Sequence, residues 1–193
     1  MRTRLILALA TAPLWAQTLS QGERDFAMSS LHASRKMFLD AISGLSAAQW
    51  KFKPAPDRWS IAEVAEHVVL SDDLKQVQEM LKSPVAAPGT VDRKQDAKLL
   101  EKMADRTNKA QAPPALQPTG RWATPEAAAA EFRKRQDGII AYVETTKDAL
   151  RDHASGSGEN AFDAYQLIVM LAGHTQRHVA QINEVKADPK YPQ

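Results

Sequence analysis

The sequence predicts an all-α protein built on four main helices. Apolar residues recur at intervals of three, four and seven in four separate segments, the signature of one buried helix face. Ser-x-x-Glu/Gln capping boxes stand at Ser20–Glu23, Ser46–Gln49 and Ser60–Glu63. No stretch shows the strict alternation of a half-buried strand. The chain has 193 residues, 44% hydrophobic and 25% charged, enough for one domain with a substantial core.

Residues 1–16 read as an export signal. Arg2 and Arg4 precede an apolar run from Leu5 to Trp15, and Ala16 offers a small residue at the cleavage point before Gln17. The run is short for a membrane span and carries Pro13 near its end, so an uncleaved anchor is the weaker reading. The chain is therefore expected to be exported, periplasmic or secreted, with no stable membrane anchor after cleavage. Removing Arg2 and Arg4 leaves 23 basic residues against 23 acidic ones. That balance lacks the positive footprint of a nucleic-acid binder. The absence of cysteine rules out disulfides, thiolate ligands and a lipid-bearing N-terminal Cys.

The helical domain is expected over residues 20–185. The first helix starts at Ser20, and Phe26, Leu31, Ala33, Met37, Phe38, Ile42 and Leu45 form its inward face, with Gly44 as a stop. His32 falls on its surface or border. Ser46 opens one short turn that ends near Trp50, and a proline-stiffened connector from Lys53 to Trp59 follows. Trp50 and Trp59 are expected to pin it to the bundle. The second helix is capped by Ser60. Ile61, Val64, Val68, Val77 and Leu81 form its buried stripe, His67 lies at the stripe's edge, and Ser83-Pro84 ends it.

Residues 83–123 are punctuated by Pro84, Pro88-Gly89, Pro113-Pro114 and Pro118-Thr119-Gly120. Within them, Asp92 to Asn108 reads as an exposed helix whose thin packing edge is Leu99, Leu100 and Met103. A connection this long can run the length of a bundle, which allows the second and third helices to be parallel. The third helix opens with Thr124 as cap, Pro125 at its first position and Glu126 in its first turn. Phe132, Ile139, Val143 and Leu150 are its core positions. A Gly/Ser loop over 152–160 holds His153. The fourth helix spans about Phe162 to Glu184, and residues 186–193 form a tail expected to fray.

Chemistry concentrates in His174-Thr175-Gln176-Arg177-His178. Residues four apart share a helix face, and Leu171, His174, His178, Ile182 and Val185 lie on one inward stripe. Unpaired imidazoles are costly there, and a metal ion would satisfy both. A site needs a third ligand, and His67 is the best candidate. The competing reading keeps all three as core histidines without metal. Glu63, one turn before His67, completes a cap; its functional alternative is to support that histidine. Protons should compete for such ligands near pH ~6.5.

Trp59-Ser60-Ile61-Ala62-Glu63-Val64-Ala65-Glu66-His67 and His174-Thr175-Gln176-Arg177-His178-Val179-Ala180-Gln181-Ile182, in this order and separation, resemble the DinB-like superfamily over about residues 20–185. The resemblance implies an up-down-down-up four-helix bundle with a long crossover between helices 2 and 3. It implies a divalent metal site of His67, His174 and His178, with water or substrate in the open positions. Zinc and nickel both suit imidazole. His153 sits where the family often has a His-containing loop, but the usual proline after that His is missing here.

Several functions stay open at this point. A metal-dependent hydrolase-like enzyme acting on a small-molecule substrate is the first, with Lewis-acid activation of water. Its catalytic residues beyond the ligands are unknown, Glu63 and Glu66 being the nearest acids in sequence. A non-catalytic exported metal- or ligand-binding bundle is the alternative. The thiol-dependent transferases that the family also contains use thiols of the reducing cytosol, which fits an exported chain poorly. Nucleic acid is not an expected partner, and homodimerisation is left open.

Overall fold

The computed structural model describes residues 18–193, so the expected export signal lies outside the described residues. Helices α1 (Gln21–Ile42), α2 (Ala47–Lys51), α3 (Ile61–Ser71), α4 (Leu74–Met80), α5 (Asp96–Ala104), α6 (Pro125–Thr145) and α7 (Ala164–Lys186) follow one another along the chain. The capping boxes at Ser20, Ser46 and Ser60 all form, each side chain accepting from the backbone N–H three residues on. Thr124 and Pro125 begin α6 as the sequence predicts. The fourth long helix starts two residues later than expected, on a further capping box of Asp163 and Gln166.

Two apolar clusters fill the bundle and reveal its chain directions. One joins Phe38 and Ile42 near the end of α1, Ile61 and Val64 at the start of α3, Ala128 and Phe132 in the first half of α6, and Ile182 and Val185 near the end of α7. The other joins Ala27 and Leu31 of α1, Val77 of α4, Ile139 and Val143 of α6, and Tyr165 and Ile168 of α7. Thus α1 and α7 run one way, while α3–α4 and α6 run the other. This is the up-down-down-up order, with the second and third main helices parallel. Residues 81–124 leave one end of the bundle and return to the other.

The second helix is not continuous. Asp72 leaves helical geometry at φ −86°, ψ 72°, and the Asp73 side chain accepts from Lys75 N to start α4. Short acidic side chains compete with the helix for backbone groups, which breaks the expected run at this pair. In α1 the buried face is Ala27, Leu31, Ser34, Phe38 and Ile42, while Ala33 is exposed and Met37 is 43% exposed. The expected face is therefore rotated. The small residues Ser30 and Ser34 bury by donating to the Phe26 and Leu31 carbonyls.

The loop before α7 is more ordered than a Gly/Ser composition suggests. Ala154–Ser155 pairs antiparallel with Phe162–Asp163, a short ladder that the sequence does not announce. Arg151 sits beneath it, bonded to Glu23 (2.8 Å), Asp96 (2.5 Å) and Asp163 (3.0 Å). This buried ion cluster ties α1, α5 and α7 together. Helix α5 lies along α7, and Gly173 is a point of close approach. A Cβ there would lie 2.6 Å from the Leu100 carbonyl oxygen. The tail is docked rather than frayed. Tyr191 meets the Phe52 ring edge-on at 5.6 Å, and Gln49 Nε2 donates to the Pro192 carbonyl at 3.1 Å.

Candidate metal centre

His67 comes from the middle of α3, and His174 and His178 come from successive turns of α7. The antiparallel packing of these two helices brings the three together. Their candidate ligand nitrogens all lie within 4.8 Å of one another. His174 Nε2 is 3.2 Å from His67 Nε2 and 3.0 Å from His178 Nε2. His67 and His178 are buried, and His174 is partly exposed.

The far nitrogens settle the tautomers. His67 Nδ1 lies 2.9 Å from the carbonyl oxygen of Leu116, which can only accept, so Nδ1 carries the proton. His178 Nδ1 lies 2.8 Å from Gln181 Oε1. Arg106 Nη1 donates to the same oxygen at 3.1 Å, which fixes the orientation of the amide. In neutral His67 and His178, Nε2 is then a bare lone pair. A single proton on His174 Nε2 can satisfy only one of two close contacts. The arrangement holds more acceptors than protons, which suits a shared cation.

The rings are also held neutral. Burial lowers the His67 pKa, against the pull of its Leu116 bond. Burial, then the neighbouring His67 and Arg177, push His174 down to about 4. Burial, then His174 and His67, push His178 down to about 2. Neutral imidazole is the form that binds metal, so no protons need be displaced near neutral pH. The expectation that protons compete near pH 6.5 is corrected by this burial.

The nearby acids are engaged elsewhere. Glu63 Oε2 accepts from Ser60 N at 2.7 Å, and Glu63 Oε1 pairs with Lys53 at 3.0 Å. It is a cap and does not support His67. Glu66 accepts from Thr119 N (2.8 Å), Thr119 Oγ1 (3.1 Å), Gly120 N (2.8 Å) and Arg121 N (3.0 Å). Burial works to raise its pKa, but the bonds from Thr119, Arg121 and Gly120 outweigh it and hold the carboxyl below its usual range. Glu66 thus latches the connection between α5 and α6 onto α3.

The structure does not bring His153 to the other three. Its Nδ1 lies 2.8 Å from the Ser83 carbonyl oxygen, beyond the end of α4. His32 is exposed on α1. Trp59 does more than pin the connector, since its ring lies 5.2 Å from that of His67 and walls the site. Sequence reasoning missed Gln181, Arg106 and Glu184. Arg106 grips Glu184 through Nε (2.8 Å) and Nη2 (3.2 Å). Gln181, three residues past His178, was findable from helix spacing. A backbone carbonyl such as Leu116 leaves no trace in sequence.

Comparison with known proteins agrees with the fold. The sequence profile of the DinB superfamily matches residues 30–182. Uncharacterized protein YuaE of Bacillus subtilis is 28% identical over 162 residues, covering 82% of this chain and 96% of that protein. Among solved structures, YfiT from Bacillus subtilis superposes with a TM-score of 0.55 at 13% identity, covering 88% of this chain and 89% of that one. YfiT is described as "a probable metal-dependent hydrolase with an unusual four-helix bundle topology".

Proposed function

The chain belongs to the DinB superfamily, and from that premise we propose that it is an exported, divalent-metal-dependent hydrolase-like enzyme with His67, His174 and His178 as ligands. The observation that carries the reading is the proton count at the cluster. Two Nδ1–H groups are fixed outward by Leu116 and Gln181, leaving Nε2 lone pairs to converge. The donor set of three neutral imidazoles fits zinc or nickel. Such an ion supplies Lewis acidity to an oxygen of water or of a small-molecule substrate. The description of YfiT supports the same class.

The chain's own residues have definite tasks. Leu116 and Gln181 hold protons at His67 and His178 and so present the opposite nitrogens. Trp59 covers one side of His67 and limits water there. The partly exposed His174 marks the side from which a substrate approaches. Nucleic acid stands outside the proposed partners, because the mature charge is balanced.

A second reading, a non-catalytic metal-binding bundle, draws on the engagement of Glu63 and Glu66 in structural bonds. Neither is free to act as a general base. Both readings share the metal, so metal content is measured first. After dialysis against a weak chelator, the wild type is expected to retain about one equivalent of zinc or nickel by elemental analysis. His174→Ala and His178→Ala should lose most of it, and His32→Ala should keep it. Full retention by His174→Ala, or none in the wild type, refutes the metal centre. Hydrolysis of activated esters by the zinc-loaded wild type, abolished in His174→Ala, separates the enzyme from the binding protein.

A further inference from the structure

The connection between α5 and α6 touches the metal centre at several points, although none of its residues is a ligand. The Leu116 carbonyl holds His67. Arg106 reaches Gln181, which holds His178. Arg177, between the two α7 histidines, donates to the Asn108 carbonyl. Thr119, Gly120 and Arg121 clasp Glu66, next to His67. No residue from 105 to 121 is buried. This segment is therefore held mainly by polar bonds to α3 and α7, the two helices that carry the histidines. Segments with little apolar burial open at low free-energy cost, so their docking responds to modest changes in their partners.

We infer that Arg106 is a positioning residue of the metal centre, acting through Gln181 on His178, and that metal occupancy and docking of residues 105–121 are coupled. The inference rests on the metal-centre reading above. Gln181 Oε1 has two donors, His178 Nδ1 and Arg106 Nη1. Without Arg106 the amide is free to rotate and to present its NH2 group to His178. That would remove the acceptor that keeps the proton on Nδ1. The guanidinium fork is itself fixed by both carboxylate oxygens of Glu184, which also pairs with Arg58 at 3.4 Å. Partners of this kind, one bond removed from the ion, typically change metal affinity 10–100-fold when deleted. Because linkage is reciprocal, metal that favours the docked segment must be favoured by it to the same extent.

The test uses the full mature chain and zinc, with affinity read by competition against a chromophoric chelator. Arg106→Ala and Gln181→Ala should each weaken zinc roughly tenfold or more. The double variant should bind no more weakly than Gln181→Ala alone, because Arg106 acts through that amide. Arg106→Lys keeps a cation beside Glu184 but loses the fork, so it should stay weak while its metal-free melting temperature stays near wild type. That separates positioning from a loss of fold. Zinc should slow hydrogen exchange in peptides covering 105–121 of the wild type, and less so in Arg106→Ala. Wild-type affinity in Arg106→Ala, additive losses in the double variant, or no zinc-dependent protection overturns the inference alone. A wild type that takes up no zinc overturns the metal centre and this inference with it.

Discussion

Replacing Asp72 with Asn should stabilise the protein, and increasingly so as pH rises. Asp72 is 2% exposed at the break between α3 and α4, and Gln136 of α6 is fully buried beside it. Gln136 Nε2 donates to Asp72 Oδ2 at 2.8 Å, yet Asp72 Oδ1 and Gln136 Oε1 have no partner. Burial pushes the Asp72 pKa from 3.8 up to about 7, against the Gln136 bond and Arg135, with Asp73 adding to the rise. Between those two pH values the native state binds more protons than the unfolded state, so this group's contribution falls as pH rises and levels off above about 7. The displacement corresponds to a cost on the order of 4 kcal/mol at pH 8 and roughly 2 kcal/mol at pH 5. Asparagine keeps the acceptor for Gln136 Nε2 and offers a donor toward Gln136 Oε1. Asp72 ends α3 through its backbone N–H to the Val68 carbonyl, which the substitution preserves. Urea unfolding of metal-free wild type and Asp72→Asn from pH 5 to 8 reads the difference, and the histidines cancel because both proteins carry them. The gain should grow by about 2–3 kcal/mol across that range. A gain that is flat with pH, or a variant less stable than wild type at pH 8, refutes the argument.

Metal affinity should fall on acidification only at pH values below those at which free imidazoles, titrating near pH ~6.5, would release the ion, because burial lowers all three histidines and holds His174 at about 4; competition titrations at stepped pH check this. For the metal-free protein, the depressed histidines bind more protons unfolded than folded. Their contribution to stability is therefore lost as pH falls from about 6.5 toward 4, visible as a lower urea midpoint in Asp72→Asn, where the carboxyl no longer opposes it. Gly173→Ala puts a Cβ 2.6 Å from the Leu100 carbonyl and 2.9 Å from Met103 Cβ, so α5 must shift. A loss of about 1–3 kcal/mol is expected in urea unfolding, together with faster hydrogen exchange over Asp96–Ala104. Protein from its native host should begin near Gln17, as intact mass will show; an intact Met1 on soluble cytosolic protein would count against export.

Helices α1, α3 and α6 were legible because each begins on a cap and carries a stripe, two independent signals that agree, whereas α7 was read from its stripe alone. The parallel second and third helices were legible from the length of the connection between them. The break at Asp72–Asp73 had a trace in the spacing, since Val77 lies nine residues past Val68, half a turn out of phase in a continuous helix, and only an interruption lets both be buried. Two adjacent acids inside an apolar run were the other warning. The Asp163–Gln166 cap was passed over because the onset of apolar residues at Phe162 looked like the helix start. At the site, His174 and His178 were readable from their spacing, and His67 from its place on the opposite helix. Long-range partners such as Arg106 were not, because nothing in local sequence relates residue 106 to residue 181.

The topology explains why those long-range partners exist. Parallel neighbours cannot be joined by a tight turn, so the chain must return along the bundle between α4 and α6. Any such return crosses the grooves between helices. Here it descends beside α7 as α5, held by Gly173 and the Arg151 cluster, and then passes over the junction of α3 and α7, where the histidines meet. Backbone carbonyls on an irregular segment are free to accept, unlike those inside a helix, where each already serves the residue four further on. The turn at Pro114–Leu116 therefore supplies what neither α3 nor α7 could offer His67, an unengaged carbonyl in the right place. A bundle with antiparallel second and third helices would have no segment at that position, and its histidine would need a side-chain partner instead. The connection that the fold requires is the same one that orients His67.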